Sequence, residues 1–426
     1  MNVVDRLLQE RHNDGNPIRV GLVGAGASAK MIALHLMKPV EGIRLVAIAN
    51  RTPENIAPVY ADGGITNAAS VNSTAELEDA IAGGKPAATG DAMLLCDSES
   101  IEIIVDCTGA VEFGAHLVTR AIDRGKHYVF VNTELDSTLG PILKARADKA
   151  GVTIANCDGD EPGVATSLYR YLKSIGLDPV ASGNLKGMVD FYRTPETQRE
   201  FAAKYGMNPK IVTSFADGTK LSMESTVLAN ATGFRVAKRG MQGYPCDHVN
   251  EIVDKLPVDA MLGGGLIDYA LGAAPYTGAW VVVHEEHPIR GANMGYFKAG
   301  DGPFFVFYTP YHLPQIQIAS TIARAVLQGD ATVAPIGAPV TSVAAIAKQH
   351  LTAGEVLDGV GGFHTYGSIE NTDVYYADDL LAMGLSEGCR LLRDIGKDQP
   401  ITRADVEIPE GRLCDELYAE QIRHFS

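Results

Sequence analysis

Residues 18–37 read IRVGLVGAGASAKMIALHLM. An apolar run of strand length ends at Gly24-Ala25-Gly26, and the residues after it carry apolar positions at helical spacing. A strand that feeds straight into a helix through glycines is the opening of a dinucleotide-binding βα unit. The first glycine allows the tight turn, the second lets the backbone approach a pyrophosphate, and the helix N-terminus offers unpaired N–H groups to the anion. Gly24 and Gly26 fill the first two places, and Ala29 stands at the third. Ala27 and Ser28 supply the first helical amides. The alternative is a tight structural turn with no ligand.

Working outward, β-rich runs and helical patterns alternate to about residue 160, the signature of a parallel sheet with crossover helices. IRVGLVG, RLVAIAN, IEIIVDCTG, HYVFVN and VTIANCD read as strands. ASAKMIALHLM, TAELEDAIAGG, GAHLVTRAIDRG and GPILKARADKAG read as helices. Val3, Val4, Leu7 and Leu8 share a helical face, so a short N-terminal helix is expected to dock on this body. The second strand ends in Asn50-Arg51, where an acid would bond the adenosine ribose. Arg51 there favours a 2′-phosphate, hence NADP(H) over NAD, although arginine after a strand is also common on surfaces. Thr108 and Gly109 of DCTG fall at the sheet's carboxyl edge and are expected to touch the cofactor.

The expected fold class is α/β: a Rossmann-type doubly wound parallel sheet (1–160), an α+β catalytic and dimerisation domain (161–335) whose last helix packs back on the first, and a small β-rich tail (336–426).

Composition narrows the function classes. The chain has 426 residues, 46% of them hydrophobic, and a formal net charge of −16. No basic stripe serves a phosphate backbone, so nucleic acid and anionic membrane are poor partners. Six cysteines without C-x-x-C spacing support neither zinc nor a disulfide framework. No apolar stretch approaches the roughly 18 residues that span a bilayer, and the first residues lack the apolar core of a secretory leader, so a cytoplasmic protein is expected. A small-molecule substrate remains.

Four constellations carry candidate chemistry. In CDGDEPG, Asp160 and Glu161 can bind Mg²⁺ or Mn²⁺ or act as a base, or simply start a helix. In GNLKGMVD, read as a loop, Asn184, Lys186 and Asp190 can hold or polarise a substrate. DGTKLSMESTVLANATG reads as a hairpin turn followed by a strand, which puts Lys220, Ser222 and Glu224 on one face towards a cleft or water, with Asn230 further along. His312 in YTPYHLPQ can donate a proton or make an interdomain contact.

Gly24-x-Gly26, DCTG, VNTELD, GDEP, DGTK…E…NATG and PYHL together resemble the homoserine-dehydrogenase-like oxidoreductases. They are most similar to the deoxyxylulose phosphate reductoisomerase-like branch that ends in a SAF domain, whose opening AIAKQHLTAGEVLDGVGG resembles. The resemblance implies a homodimer and NADPH-dependent rearrangement and reduction of a sugar phosphate such as deoxyxylulose phosphate. It also adds Asn132 and Glu134 to the cofactor side. Thr133 stands where homoserine dehydrogenases proper carry a lysine, a difference the branch shares. The rivals are a plain dehydrogenase of a small hydroxy acid, polyol or homoserine-like substrate, and a non-catalytic NADP-binding sugar sensor.

Overall fold

The computed structural model describes residues 3–38 and 40–426, which form two compact units, Met1–Asp160 with Leu313–Ala334, and Glu161–His312 with Pro335–Ser426.

The first unit holds a seven-stranded sheet built from β1 (Ile18–Val23), β2 (Ile43–Ala49), β3 (Ala69–Ser70), β4 (Ala87–Thr89), β5 (Ile103–Asp106), β6 (His127–Phe130) and β7 (Ile154–Asn156). Its order is β3-β4-β2-β1-β5-β6-β7 and every pairing is parallel. The chain winds outward in both directions from β1, so the topological switch point lies between β1 and β5. Central parallel strands are covered on both faces. That is why β1 is a near-continuous apolar run, with Ile18, Val20 and Leu22 wholly buried. β3 and β4 are too short to leave a periodic signal, and the sequence reading passed over both. The helix Thr133–Ala150 begins seven residues before the expected GPILK segment, because Asn132 caps it by accepting from Leu135 N at 3.1 Å. Ile318, Ile322, Ala323 and Ala325 of the helix Pro314–Gln328 join the core of this sheet. In the N-terminal helix Val3–Asn13 only Val4 is buried; Leu8 packs partly and Val3 is exposed, so the shared face is narrower than its apolar residues suggest.

The second unit is built on a five-stranded mixed sheet of β8 (Asp178–Lys186), β9 (Tyr244–Pro245), β10 (Leu266–Leu271), β11 (Ala279–His284) and β12 (Phe304–Thr309), in the order β12-β11-β8-β10-β9. Two expectations are corrected here. Asn184 and Lys186 lie on the central strand β8, not in a loop. Gly183 belongs to this strand because a side chain there would meet the Asp268 carbonyl oxygen at 1.6 Å. The stretch after Asp217-Gly218 is a helix, Thr219–Thr232, not a strand. Gly218 and Gly233 both take the left-handed conformation at its ends, and Asp217 Oδ1 accepts from Thr219 N at 2.9 Å. The helix is buried from Leu221 to Thr232. An all-round buried helix carries no amphipathic stripe, so its period was invisible.

Residues 335–426 are counted in this same unit. They contribute the antiparallel pair β13 (Thr341–Ala347) and β14 (Thr365–Asn371), the short pair β15 (Arg390–Leu391) and β16 (Val406–Glu407), and the helix Leu413–Phe425. Their hydrophobic cluster includes Met223 of the helix Thr219–Thr232.

Candidate functional site

At the end of β1, Gly24 adopts φ +115, which a side chain disfavours, and a Cβ there would press on the Cys107 carbonyl oxygen at 3.3 Å. Gly26 is the N-cap of the helix Ala27–Met37. No side chain caps that helix and no acid stands in its first turn. A Cβ on Gly26 would meet nothing within 4 Å, and Gly26, Ala27 and Ser28 are exposed. Open space in front of uncapped amides fits a pyrophosphate. Ala29 is buried against the sheet.

Arg51 is exposed after β2, while Asn50 is spent on its own turn, its amide donating to the Thr52 carbonyl at 2.8 Å. Gly109 has φ +66 with open space beside it. Thr108 and Asn132 are held by a buried carboxylate that the sequence reading missed. Asp106 accepts from Thr108 N (2.9 Å), Thr108 Oγ1 (2.7 Å), Tyr128 Oη (2.9 Å) and Asn132 Nδ2 (2.9 Å). Glu134 is half-buried, and its carbonyl accepts from Ser137 and Thr138.

The second unit gathers four polar side chains from three elements. Glu161 stands first on the helix Glu161–Ser174, where its charge suits the helix N-terminus. Glu224 comes from the helix Thr219–Thr232. Asn184 and Lys186, two residues apart, share one face of β8. Asn184 Nδ2 donates to Glu161 Oε2 at 2.8 Å and to Glu224 Oε2 at 3.2 Å. Lys186 Nζ donates to Glu161 Oε2 and, at 3.3 Å, to Glu224 Oε2. Both carboxylates are nearly fully buried. Burial and the neighbouring charge of Glu161 push the Glu224 carboxyl up to about 8; Lys186 and Lys220 pull it down without overcoming them. Burial works against the charge of Lys186, but the two carboxylates outweigh it and hold its ammonium above the usual lysine range. Glu224 therefore holds a proton near neutral pH beside a fixed cation.

Lys220 lies one turn before Glu224 on the same helix, so the two share a face through helical rather than strand spacing. Ser222 does not; its hydroxyl donates to the Gly367 carbonyl. His312 Nδ1 is 2.9 Å from Thr277 Oγ1 and 3.9 Å from Glu161 Oε1, at the edge of the cluster. Asp190 is not in it and pairs with Arg193 at 2.9 Å. Asn230 is not in it either. Its Oδ1 accepts from Val340 N (2.7 Å) and Thr341 N (3.1 Å), tying the helix to β13.

The donor set does not fit the expected divalent metal. Asp160 accepts from Thr133 Oγ1 at 2.9 Å, Glu161 is taken by Lys186, and among the described residues no three His, Cys, Asp or Glu side chains form a metal-binding group.

Residues 159–318 match the family model described as oxidoreductase DRL, catalytic domain. This places an oxidoreductase catalytic domain in the chain. The chain is also similar to homoserine dehydrogenase of Methylobacillus glycogenes, 32% identical over 139 residues, which are 32% of this chain and 30% of that enzyme. The match thus spans under a third of that relative's length. Among solved structures, a probable dehydrogenase from Thermotoga maritima aligns with a TM-score of 0.44 at 14% identity, over 75% of this chain and 90% of that one. A DOX-P reductoisomerase in complex with NADPH, fosmidomycin and magnesium aligns with a TM-score of 0.33 at 14% identity, over 50% and 57%.

Proposed function

We propose that the chain is an NAD(P)-dependent oxidoreductase, with NADP(H) preferred, that interconverts a carbonyl and a hydroxyl on a small polar substrate. The observation that carries the reading is the buried cluster in which Lys186 and Asn184 hold Glu161 and Glu224, within a stretch that matches an oxidoreductase catalytic domain. Carbonyl reduction needs a hydride, a proton and a group that steadies the developing oxyanion.

Gly24, Gly26, Ala27 and Ser28 would hold the pyrophosphate, and Arg51 the 2′-phosphate. The bound cofactor supplies or accepts the hydride. Glu224 holds a proton at its carboxyl near neutral pH and releases it to the substrate oxygen in the reducing direction, taking it back in the oxidising one. Lys186 Nζ stabilises negative charge on that oxygen. Asn184 orients both carboxylates, and His312 relays protons to solvent.

The finer reading, rearrangement and reduction of a sugar phosphate, is supported by the motif resemblance. The homodimer and the SAF-type tail follow from the motif resemblance, and the cytoplasmic location from six cysteines without paired spacing.

The test follows nicotinamide absorbance with a panel of sugar phosphates, polyols and hydroxy acids, with and without Mg²⁺ or Mn²⁺, after NADPH binding is measured by fluorescence. Turnover that vanishes in Glu224→Gln while NADPH still binds supports the reading. A wild-type chain that ignores NADPH overturns it.

A further inference from the structure

Asp106 ends β5, the strand on the far side of the switch point from β2, and is wholly buried. Burying a carboxylate is costly unless its oxygens are bonded. Here both are: Oδ1 takes the backbone and hydroxyl of Thr108, and Oδ2 takes Tyr128 Oη and Asn132 Nδ2. These donors come from three segments, the turn after β5 (Thr108), β6 itself (Tyr128) and the turn between β6 and the next helix (Asn132). Asn132 Nδ2 also donates to the Ala110 carbonyl at 3.1 Å, closing the network on the first turn. The neighbouring helix Val111–Asp123 carries Gly114 where a Cβ would lie 2.8 Å from Leu135, 2.9 Å from Asn132 and 3.2 Å from Asp106, so the network is packed on that side too.

In a doubly wound sheet the two halves of a dinucleotide lie over the two halves of the sheet, meeting at the switch point. Gly24, Gly26 and Arg51 belong to the β1–β2 half. The turns tied by Asp106 belong to the β5–β6 half. We infer that Asp106 is a positioning residue for the nicotinamide half of the cofactor, setting the backbone of residues 107–110 through Thr108 and Asn132 without touching the ligand itself. The inference rests on the oxidoreductase reading above. It also reassigns Thr108 and Asn132, whose side chains serve Asp106.

The experiment compares NADPH with adenosine 2′,5′-bisphosphate, which carries the adenosine end alone, in fluorescence and competition titrations of the full chain. Asp106→Asn replaces an acceptor oxygen with a donor against the donors already present. It is expected to weaken NADPH at least tenfold and leave the bisphosphate within twofold of wild type. Tyr128→Phe removes one donor, keeps the carboxylate, and is expected to weaken NADPH about threefold with the bisphosphate unchanged. If Asp106→Asn does not fold, Tyr128→Phe alone decides. Unchanged NADPH affinity, or equal loss for both ligands, overturns the inference and leaves the parent reading standing; a wild-type chain that binds neither ligand overturns both.

Discussion

Glu161 and Glu224, 63 positions apart in sequence, accept from the same amide nitrogen of Asn184 at 2.8 and 3.2 Å. Burial and the neighbouring Glu161 charge act together on Glu224, and this sets the pH behaviour of the site.

Glu224 is raised from 4.5 to about 8 by burial and by Glu161. The folded chain keeps a proton that the unfolded chain releases, so ∂ΔG/∂pH is negative between the two values and stability falls as pH rises from about 4.5 to 8. The loss reaches up to a few kcal/mol by linkage. Melting curves of wild type should decline across this window, and those of Glu224→Gln should stay flatter. An equal decline in both would remove Glu224 as the source.

Lys186→Met leaves two buried carboxyls without their cation. Breaking a buried pair by removing one partner costs about 3–5 kcal/mol, and loss of the charge opposite a developing oxyanion costs roughly 10²–10³ in turnover. Urea unfolding and turnover measured together should show both effects, with NADPH affinity retained.

Gly26→Asp would place a carboxylate at an uncapped helix N-terminus that has room for it. The new cap stabilises the helix by about 0.3–1 kcal/mol relative to Gly, while its charge occupies the place of the pyrophosphate. NADPH affinity should fall by more than about 100-fold, since like-charge juxtaposition costs several kcal/mol, with the melting temperature unchanged or higher. Arg51→Ala should weaken NADPH by about tenfold and leave NADH unaffected, a difference of about 1.4 kcal/mol for one lost ion pair.

Lys348 and Asp217 form a second buried pair at 2.7 Å, and Lys348 Nζ also donates to the Arg193 and Gly362 carbonyls at 2.8 and 2.7 Å. Lys348→Met should destabilise the chain by about 3–5 kcal/mol in urea unfolding. Asn230→Ala should cost about 1–3 kcal/mol, because two backbone amides lose their acceptor. Turnover at saturating substrate should persist in Asn230→Ala; its loss would return Asn230 to the site.

Residues 18–37 by themselves determined how the first unit opens. A strand, two glycines and a helix are local, and the physical requirements of the turn act over a few neighbouring residues, so they are written contiguously. The candidate residues Glu161, Lys186, Glu224 and His312 were also visible as residue types in suggestive company. Their arrangement was not. Glu224 and Lys186 sit in other local structures than their sequence suggests, because a helix buried on all sides has no stripe and a strand threaded with glycine looks like a loop. Asp190 and Asn230 looked equivalent to their neighbours until packing put one beside Arg193 and the other against β13. Tertiary structure alone decided that the carboxylates meet on Asn184 and that Asp106 ties two turns together, since burial and charge coupling between residues distant in the chain arise only when the fold brings them within a hydrogen bond.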